Sequence, residues 1–434
     1  METRTKDRIV LRRLDMPLTH LVAGAPSVAS RHVAKRISLD EMLWPYEKRH
    51  ELVRSGESLM LNTRCMLAIA LLLTACQDDQ NTPGRSTSPS VRGVIDLQVG
   101  EVDGPAPYVF GRVTGLAEDE QGRILVADFS ANEIRVFNPA GDFLFSVGRE
   151  GEGPGEMRGP CCLTVIGDTV WVRDGGNRRY VAYRLLDDSA VALRTLPMHH
   201  TDGFNSARLG VLRDGNYIDT GYQFSPTGTT ALTRFHMTAD GEIMRTVAIE
   251  EPLPEQLGTV VKQNTSSRFF FPQPFGPQFL TANGPDGVYA TAISSGLEIT
   301  THDIDAVTRV LASDIDDGPL LSAAEQARAD QQIADYVQRG GGARSDYPPV
   351  PVRKPPLADL MFDQVSRLWV LLSVPDEEPA QAQIYNLKGQ LLGERTWPFE
   401  VDLSFPAWID EDHALGIATD SLGVQRVVRL RFDP

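Results

Sequence analysis

Polar side chains that could bind a ligand recur where short apolar segments pass into turns. Carboxylate, amide and guanidinium groups bind small polar or anionic ligands, and arginine beside aromatic rings also suits sugars and peptides. We predict a ligand-binding site from these residues and assign none of them a catalytic or metal-binding role. The alternative is that they only cap turns and pair charges between neighbouring elements. The set comprises Asp128, Asn132, Arg173, Asp174, Asn177, Arg178, Tyr222, Arg268 and Asp420.

A glycine-rich stretch, GREGEGPGEMRGP at 148–160, could hold a phosphate or form a corner between two sheets. A dinucleotide fingerprint would need to open a helix, but Pro154 and Pro160 interrupt the segment and no amphipathic run follows. Its three glutamates would also repel a phosphate. We therefore predict a corner, where glycine permits positive φ angles and a close backbone approach.

Two pairs of adjacent residues are of types that can bind metals or take part in redox reactions. Cys161 and Cys162 could form a vicinal disulfide or act as small apolar side chains, and we expect the latter because bridging adjacent residues distorts the peptide. His199 and His200 would point to opposite faces of a strand, which disfavours a two-histidine metal site. No G-x-S-x-G or H-E-x-x-H motif occurs, so no reaction is assigned.

The charge of the chain is unevenly distributed. The 434 residues carry a net charge of −16. Residues 1–76 contain 12 basic and 8 acidic residues, which leaves 30 basic and 50 acidic residues for 77–434. A body with a net charge of −20 would repel the phosphate backbone, so nucleic acid is excluded as a partner.

The segment MLNTRCMLAIALLLTACQDDQ at 60–80 has the order of a signal peptide: one arginine, a short apolar run, and small residues before a cysteine. Its LTAC resembles a bacterial lipobox, which implies cleavage before Cys76 and lipidation of its thiol. We assign 60–76 as a lipoprotein signal peptide and 77–90 as a flexible linker, because the following residues are polar and rich in proline and serine. Residues 1–59 are interpreted as an upstream mis-start or a disordered extension.

Residues 91–434 repeat one pattern of short strands and turns. The clearest unit, RVTGLAEDEQGRILVADFSANEIRVFNPAGDFLFSVG at 112–148, reads as four strands whose apolar residues alternate. Related units begin at Leu163, Leu209, Phe279, Leu360 and Ala407, and a later turn recurs as NPAG, TADG and NLKG. Six such copies predict an all-β, six-bladed β-propeller.

Two features modify this repeat. The last unit has only three strands, and VIDLQVG at 94–100 could supply the fourth, so the N-terminal strand would close the last blade. Between blades four and five we predict a helical insertion, 313–356, because apolar residues at helical spacing occupy 320–342 and end at glycines.

The first unit resembles an NHL-type blade of bacterial six-bladed β-propeller lipoproteins, and SRLWV and DSLGVQRVVRLRF resemble their later blades. The resemblance implies the fold but no activity. We interpret the protein as a ligand- or protein-binding propeller, lipid-anchored in the bacterial cell envelope, with no assignable reaction. The alternatives are a metal-dependent hydrolase or lyase, similar to propeller lactonases, and a structural scaffold for protein–protein interaction.

The expected partners follow from this interpretation. They are a small molecule, a sugar or a peptide in the central face, or an envelope protein, and the membrane is contacted through the lipid anchor only. No cofactor is predicted, although a divalent cation at the propeller axis is kept as an alternative.

The lipid anchor can be tested by replacing Cys76 with serine, since a hydroxyl group cannot take the place of the thiol in the lipidation reaction. We expect the Cys76→Ser protein to leave the membrane fraction and appear in the soluble fraction after cell lysis. The measurement is immunoblotting of the two fractions. Unchanged membrane retention would refute the anchor.

Overall fold

The computed structural model describes residues 90–200, 207–224, 230–263, 268–303, 307–312, 315 and 317–432. The predicted mis-start, the signal peptide with Cys76 and most of the predicted linker lie outside these residues. In the described part of the chain, no helix is long and apolar enough to span a membrane.

The described residues form six blades of a β-propeller, which confirms the predicted all-β fold class. Two short strands, β1 (Ser90–Arg92) and β2 (Val94–Val99), precede the blades. The first blade contains β3 (Val113–Glu118), β4 (Ile124–Asp128), β5 (Glu133–Phe137) and β6 (Phe143–Val147). The second contains β7 (Pro160–Ile166), β8 (Thr169–Asp174), β9 (Arg179–Leu185) and β10 (Ala190–Pro197). The third contains β11 (Gly210–Val211), β12 (Tyr217–Phe224), β13 (Thr230–Met237) and β14 (Ile243–Ala248).

A two-stranded hairpin of β15 (Val260–Gln263) and β16 (Arg268–Phe271) separates the third blade from the fourth. The fourth blade contains β17 (Phe279–Asn283), β18 (Tyr289–Ile293), β19 (Glu298–His302) and β20 (Val307–Leu311). The fifth contains β21 (Leu357–Phe362), β22 (Leu368–Leu372), β23 (Ala380–Tyr385) and β24 (Leu391–Trp397). The sixth contains β25 (Val401–Asp402), β26 (Trp408–Ile409), β27 (His413–Thr419) and β28 (Gln425–Arg431).

Consecutive strands pair antiparallel in each blade because short turns connect them. The first strand of a blade packs against the first strand of the next, as the contacts of β3 with β7 and of β17 with β21 show. In the first blade the second strand is buried on both faces, since all five residues of β4 are buried. Each blade therefore depends on its two neighbours to cover its apolar faces.

Two of the repeated turns owe their shape to specific side chains. In the turn before the second strand, an aspartate accepts hydrogen bonds from an arginine four residues later, with Nε–Oδ2 distances of 2.7 Å for Arg123–Asp119 and 2.6 Å for Arg367–Asp363. In the turn before the fourth strand, glycine adopts a positive φ of 89° at Gly141. The recurring motifs that indicated a repeat are thus the residues that fix its turns.

The N-terminal strands lie on the outer edges of the last two blades. Strand β2 pairs antiparallel with β28, from Val94 opposite Arg431 to Val99 opposite Val427. Strand β1 pairs parallel with β24. Gly93 lies between them, and its N–H donates to the carbonyl oxygen of Thr396 at 2.7 Å.

The helix α1 (Ala323–Gly340) lies in the chain between β20 and β21. Ser322 caps its first turn, since its Oγ accepts from the Glu325 N–H at 3.1 Å and the Glu325 carboxylate accepts from the Ser322 N–H at 2.9 Å. The buried residues Ile333 and Tyr336 pack against Phe271 of the hairpin and against Tyr347. The aromatic segment before blade four therefore contributes to a small second core beside α1.

The contact of β1 and β2 with the ring can be tested at Gly93. A Cβ atom there would lie 2.7 Å from Cε1 of the buried Phe432 ring and 3.3 Å from Cβ of Trp397. We expect Gly93→Ala to lower the free energy of unfolding by about 1–3 kcal/mol, the usual cost of overpacking. Urea denaturation measures the change.

Gly296→Ala is the matched control, because a Cβ at Gly296 would find its nearest atom, the Ile293 carbonyl oxygen, at an ordinary 3.5 Å. An equal loss of stability in both variants would show that the loss of a glycine, and not the contact with Phe432, causes the effect.

Candidate functional site

Asp128 is fully buried at the end of β4, in the first blade. Its carboxylate lies 3.3 Å from Nη2 of Arg135. It also accepts backbone hydrogen bonds from both sides of the strand end, and the donors are the N–H groups of Gly111, Arg112, Ser130 and Ala131. The side chain therefore fixes a turn in the position where a ligand contact was predicted.

Asp174 occupies the same place in the second blade, at the end of β8, and is also fully buried. Its carboxylate accepts from the Arg158 N–H at 2.7 Å, from Nδ2 of Asn177 at 2.7 Å and from Nε of Arg179 at 2.8 Å. Among the described contacts, the hydrogen bond from Asn177 to Asp174 is the one that directly joins two residues of the predicted set.

The other predicted residues of the first three blades also have partners in the protein. The amide oxygen of Asn132 accepts from the Gly159 N–H at 2.8 Å. Nη2 of Arg178 donates to the His200 carbonyl oxygen at 3.1 Å. The Tyr222 hydroxyl donates to Glu251 at 2.8 Å, and Arg173 is fully buried in β8.

Asp420 and Arg268 complete the predicted set. Asp420 lies in the turn between β27 and β28, where its carboxylate accepts from the N–H groups of Leu422 and Val424 and lies 3.1 Å from Nη2 of Arg426. These hydrogen bonds, first among them the one from Val424, hold the pKa of Asp420 below its ordinary value. Arg268 begins β16, and its side chain lies outside the described residues.

The predicted residues thus sit in the turns of separate blades, and only Asp174 and Asn177 touch each other among the described contacts. Most of their hydrogen-bonding groups serve the turns and the joints between blades. Their role as ligand contacts stays a prediction. The glycine-rich stretch runs from the end of β6 to the start of β7 with positive φ at Gly148, Gly151, Gly155 and Gly159, as expected of a corner.

The expectation that Cys161 and Cys162 are unbridged was wrong. The two residues form a disulfide bond at the start of β7. The adjacent geometry is accommodated by a β-bulge between Cys161 and Thr164 and by a left-handed φ of 61° at Cys162. The distortion expected from bridging adjacent residues is thus taken up by the backbone of β7 at the bulge.

His199 and His200 lie between the second and third blades. The fully buried His200 has its Nε2 atom 3.3 Å from the carboxylate of Asp219, which also accepts from the Tyr180 hydroxyl at 2.6 Å. Nε2 of His199 lies 2.8 Å from the Gly241 carbonyl oxygen. The two rings have separate partners among the described residues, and the absence of a shared metal stays a prediction.

Residues of blades three to six line a cavity of about 150 Å³, and they include residues of the innermost strands β17 and β21 and Thr220 and Leu232 on the middle strands of blade three. The wall of the cavity combines polar and apolar groups. The polar lining residues are Arg208, Thr220, Thr281, Asn283 and Asp359, and the aromatic ones are Phe362 and Phe405. We call this space the axial cavity.

Arg208 crosses the axis. Its guanidinium group donates to the carbonyl oxygen of Ala407 in the sixth blade and lies 3.5 Å from that of Leu116 in the first. It also borders a second cavity of about 220 Å³ that includes Leu163 and Thr164 of β7. Desolvation lowers the pKa of Arg208 to about 10, so the group is a cation at neutral pH that has lost part of its hydration.

No carboxylate among the described residues lies within 4 Å of the Arg208 guanidinium group, whose polar partners there are the two carbonyl oxygens. Asp359 lines the same cavity from the fifth blade. Burial raises its pKa to about 6, against the opposing hydrogen bond from the Leu360 N–H, and the negative charge of Asp402 adds to the rise. The axial cavity therefore holds a cation and a carboxylate that are not paired with each other.

Sequence reasoning missed both residues of this pair. Arg208 precedes a strand of only two residues, β11, and Asp359 lies inside an apolar segment, so neither follows the second strand of a blade, where ligand contacts were sought. A charged residue within an otherwise apolar innermost strand was the available signal. Among the described residues, no group of three or more His, Cys, Asp or Glu side chains could hold a metal, and the predicted alternative of an axial cation stays a prediction.

No family model and no curated protein sequence matches the chain. The chain is similar in structure to a protein from Bacteroides fragilis provisionally described as exported, with 12% identity, a TM-score of 0.43, and coverage of 80% of this chain and 99% of that one. It is also similar to a gluconolactonase from Xanthomonas campestris, with 13% identity, a TM-score of 0.36, and coverage of 78% and 98%.

A third similar structure is the PQQ-bound aldose sugar dehydrogenase of Streptomyces coelicolor, with 12% identity, a TM-score of 0.38, and coverage of 80% of this chain and 100% of that one. These proteins have different activities. At such identities and TM-scores, the similarities carry no argument about the function of this chain.

Proposed function

We propose that the protein is a binding propeller that holds a small anionic ligand, a carboxylate, in the axial cavity beside Arg208. The supporting observation is a desolvated guanidinium group on the axis that has two carbonyl oxygens, but no described carboxylate, as partners. A buried charge without a counter-charge is costly to the folded state, and an anionic ligand would offset that cost.

The size of the axial cavity limits the ligand. A buried cavity of about 150 Å³ is known to hold one benzene molecule, so a ligand of roughly six heavy atoms fits. Thr220, Thr281 and Asn283 supply hydroxyl and amide groups on the wall, and Phe362 and Phe405 supply apolar surface. We therefore expect a short monocarboxylate that carries a hydroxyl or keto group.

Asp359 would make this binding dependent on pH. Above a pH of about 6 its carboxylate is ionised and repels an anion, and below that pH it is neutral and can donate a hydrogen bond. The affinity for a carboxylate should therefore rise as the pH falls through about 6, provided that the ligand itself stays ionised.

The cellular location is part of the proposal. The lipobox resemblance at Cys76 implies a lipid-anchored protein of the bacterial envelope, and the Cys161–Cys162 disulfide supports a compartment outside the reducing cytosol.

We further propose that β2 closes the ring by completing the sixth blade, and that α1, inserted between blades four and five, braces the hairpin β15–β16.

The raised pKa of Asp359 supports one second candidate, an enzyme. A carboxyl group that titrates at about 6, near a fixed cation, suits general acid–base catalysis on a carboxylate substrate. Binding is preferred because the described residues supply neither an activated nucleophile nor a metal cluster in the cavity.

Replacing Arg208 with methionine tests the binding site, since methionine keeps an unbranched apolar stem but not the charged guanidinium group. Lactate, pyruvate and acetate are the probes, and isothermal titration calorimetry measures their affinity. We expect Arg208→Met to weaken binding at least about 100-fold, because a charge-assisted hydrogen bond pair in a desolvated site contributes about 3 kcal/mol.

The same variant should be no less stable than the parent without ligand, because an uncompensated buried charge has been removed. Arg213→Met is the control: that arginine pairs with Asp286 at 2.7 Å, but its side chain is 90% exposed. Equal probe binding by Arg208→Met and the parent protein would refute the axial site.

Replacing Asp359 with asparagine tests the pH dependence. In the parent protein, the affinity for lactate should increase as the pH is lowered from 7 towards 5, that is, through the raised pKa of about 6. Asp359→Asn should bind lactate with similar affinity at both pH values, since it has no carboxyl group to titrate. A pH profile that is identical in the variant would assign the effect to another group.

A further inference from the structure

The Cys161–Cys162 disulfide lies at the start of β7, the innermost strand of blade two. Cys161 keeps part of its surface accessible, whereas Cys162 is almost completely buried at 1% exposure. A reagent in solution would therefore approach the disulfide from the Cys161 side.

Fold stability is a weak reason for this disulfide. A crosslink stabilises mainly by restricting the unfolded chain, and the effect grows with the length of the loop that it closes. Adjacent residues close the smallest loop that a protein chain allows. The folded state instead carries a disfavoured backbone conformation, the positive φ of 61° at Cys162, and such outliers concentrate at functional sites.

The surrounding frame holds the disulfide in place. The Thr114 hydroxyl of the first blade donates to the Pro160 carbonyl oxygen at 2.6 Å. The N–H groups of Gly159 and Arg158 donate to Asn132 at 2.8 Å and to Asp174 at 2.7 Å. Both of these acceptors were predicted as ligand contacts, and the structure shows that they position the segment that leads into the disulfide.

A buried cation lies across the strand from the disulfide. Arg173 of β8 is the register partner of Cys161 and is fully buried. Side chains directly opposite each other on paired strands share one face, with Cβ atoms about 5 Å apart. A nearby arginine favours the thiolate form of a cysteine, so Arg173 would favour Cys161 as the thiolate that leaves in the second step of an exchange reaction.

From these observations we infer that the Cys161–Cys162 disulfide is a thiol-exchange site that is reduced by a dithiol in the folded protein. A thiolate of the dithiol attacks the Cys161 sulfur, forms a mixed disulfide, and releases Cys162 as a thiolate that takes up a proton. The second thiolate of the dithiol then attacks the other dithiol sulfur, the one bonded to Cys161 in the mixed disulfide, and releases Cys161 as a thiolate that also takes up a proton. The dithiol ends as a disulfide, and the protein ends with two thiols.

Reduction has a direct structural consequence along β7. Without the crosslink, the bulge between Cys161 and Thr164 loses the bond that holds it, and the strand gains freedom. The Thr164 hydroxyl donates to the Leu209 carbonyl oxygen at 2.9 Å, next to Arg208. The loosened segment is therefore in contact with the residue that follows the axial cation.

The test uses dithiothreitol as the dithiol and iodoacetamide as the label, on the full chain in the absence of denaturant. Mass spectrometry of the peptide that contains both cysteines measures the label. We expect label on that peptide at a rate that rises in proportion to the dithiothreitol concentration. Label that appears only with urea, or at the rate of global unfolding, would overturn the proposal.

The Cys161→Ser/Cys162→Ser variant is the control, and it should take up no label on that peptide. Its near-ultraviolet circular dichroism checks that the propeller remains folded. Hydrogen exchange of the β7 amides should be faster in the reduced protein and in the variant than in the oxidised protein. Unchanged exchange would overturn the proposed effect on β7.

Discussion

The constraint on which this structure depends is that every blade has two apolar faces and cannot cover either one alone. Strand β4 is buried at each of its five positions, and Leu116, Ile124 and Val136 belong to one core that reaches from the sixth blade to the second. A stack of such sheets would leave two end faces in water, and a ring leaves none. The pairing of β2 with β28 brings residues from both ends of the described chain into one sheet.

The ring that covers the blade faces creates buried polar groups, and most of them are satisfied locally. Asp128, Asp174 and Asp363 are fully buried, and each accepts hydrogen bonds from backbone N–H groups and lies close to an arginine. At these carboxylates the protein supplies the hydrogen-bond donors that water would otherwise provide. Arg208 differs from them, since carbonyl oxygens compensate its hydrogen-bonding groups but no described carboxylate compensates its charge. This difference separates a structural buried charge from a candidate ligand site.

The sequence predicted those parts of the structure that depend on local pattern. Alternating apolar residues in RILVAD and EIRVFN indicated strands, and recurring turns such as NPAG gave the number of blades, because these features are decided by residues close together in the chain. The axial cavity depends on which residues of four different blades meet at the centre, and this follows from ring geometry that no local pattern contains. The same reason explains why polar residues at the blade turns were chosen in preference to Arg208 and Asp359. The disulfide was missed for a local reason, since a bulge in β7 changes the geometry of two adjacent residues.

The chemically distinctive groups of the molecule lie on innermost strands or directly before one: Asp359 is on β21, the disulfide is on β7, and Arg208 precedes β11. An innermost strand is covered by neighbours on both sides but faces an axis that six converging sheets do not fill completely. Burial of groups there can alter their chemistry, as the pKa of Asp359 at about 6 shows, and Asp359 adjoins the axial cavity. Side chains on the outer strands of the blades are more exposed to water. Val191 and Met244 there are more than half exposed, and charged groups in such positions remain hydrated. A propeller therefore concentrates altered reactivity near its axis, and a polar or sulfur-containing residue on an innermost strand is a stronger indication of function than the same residue in a turn.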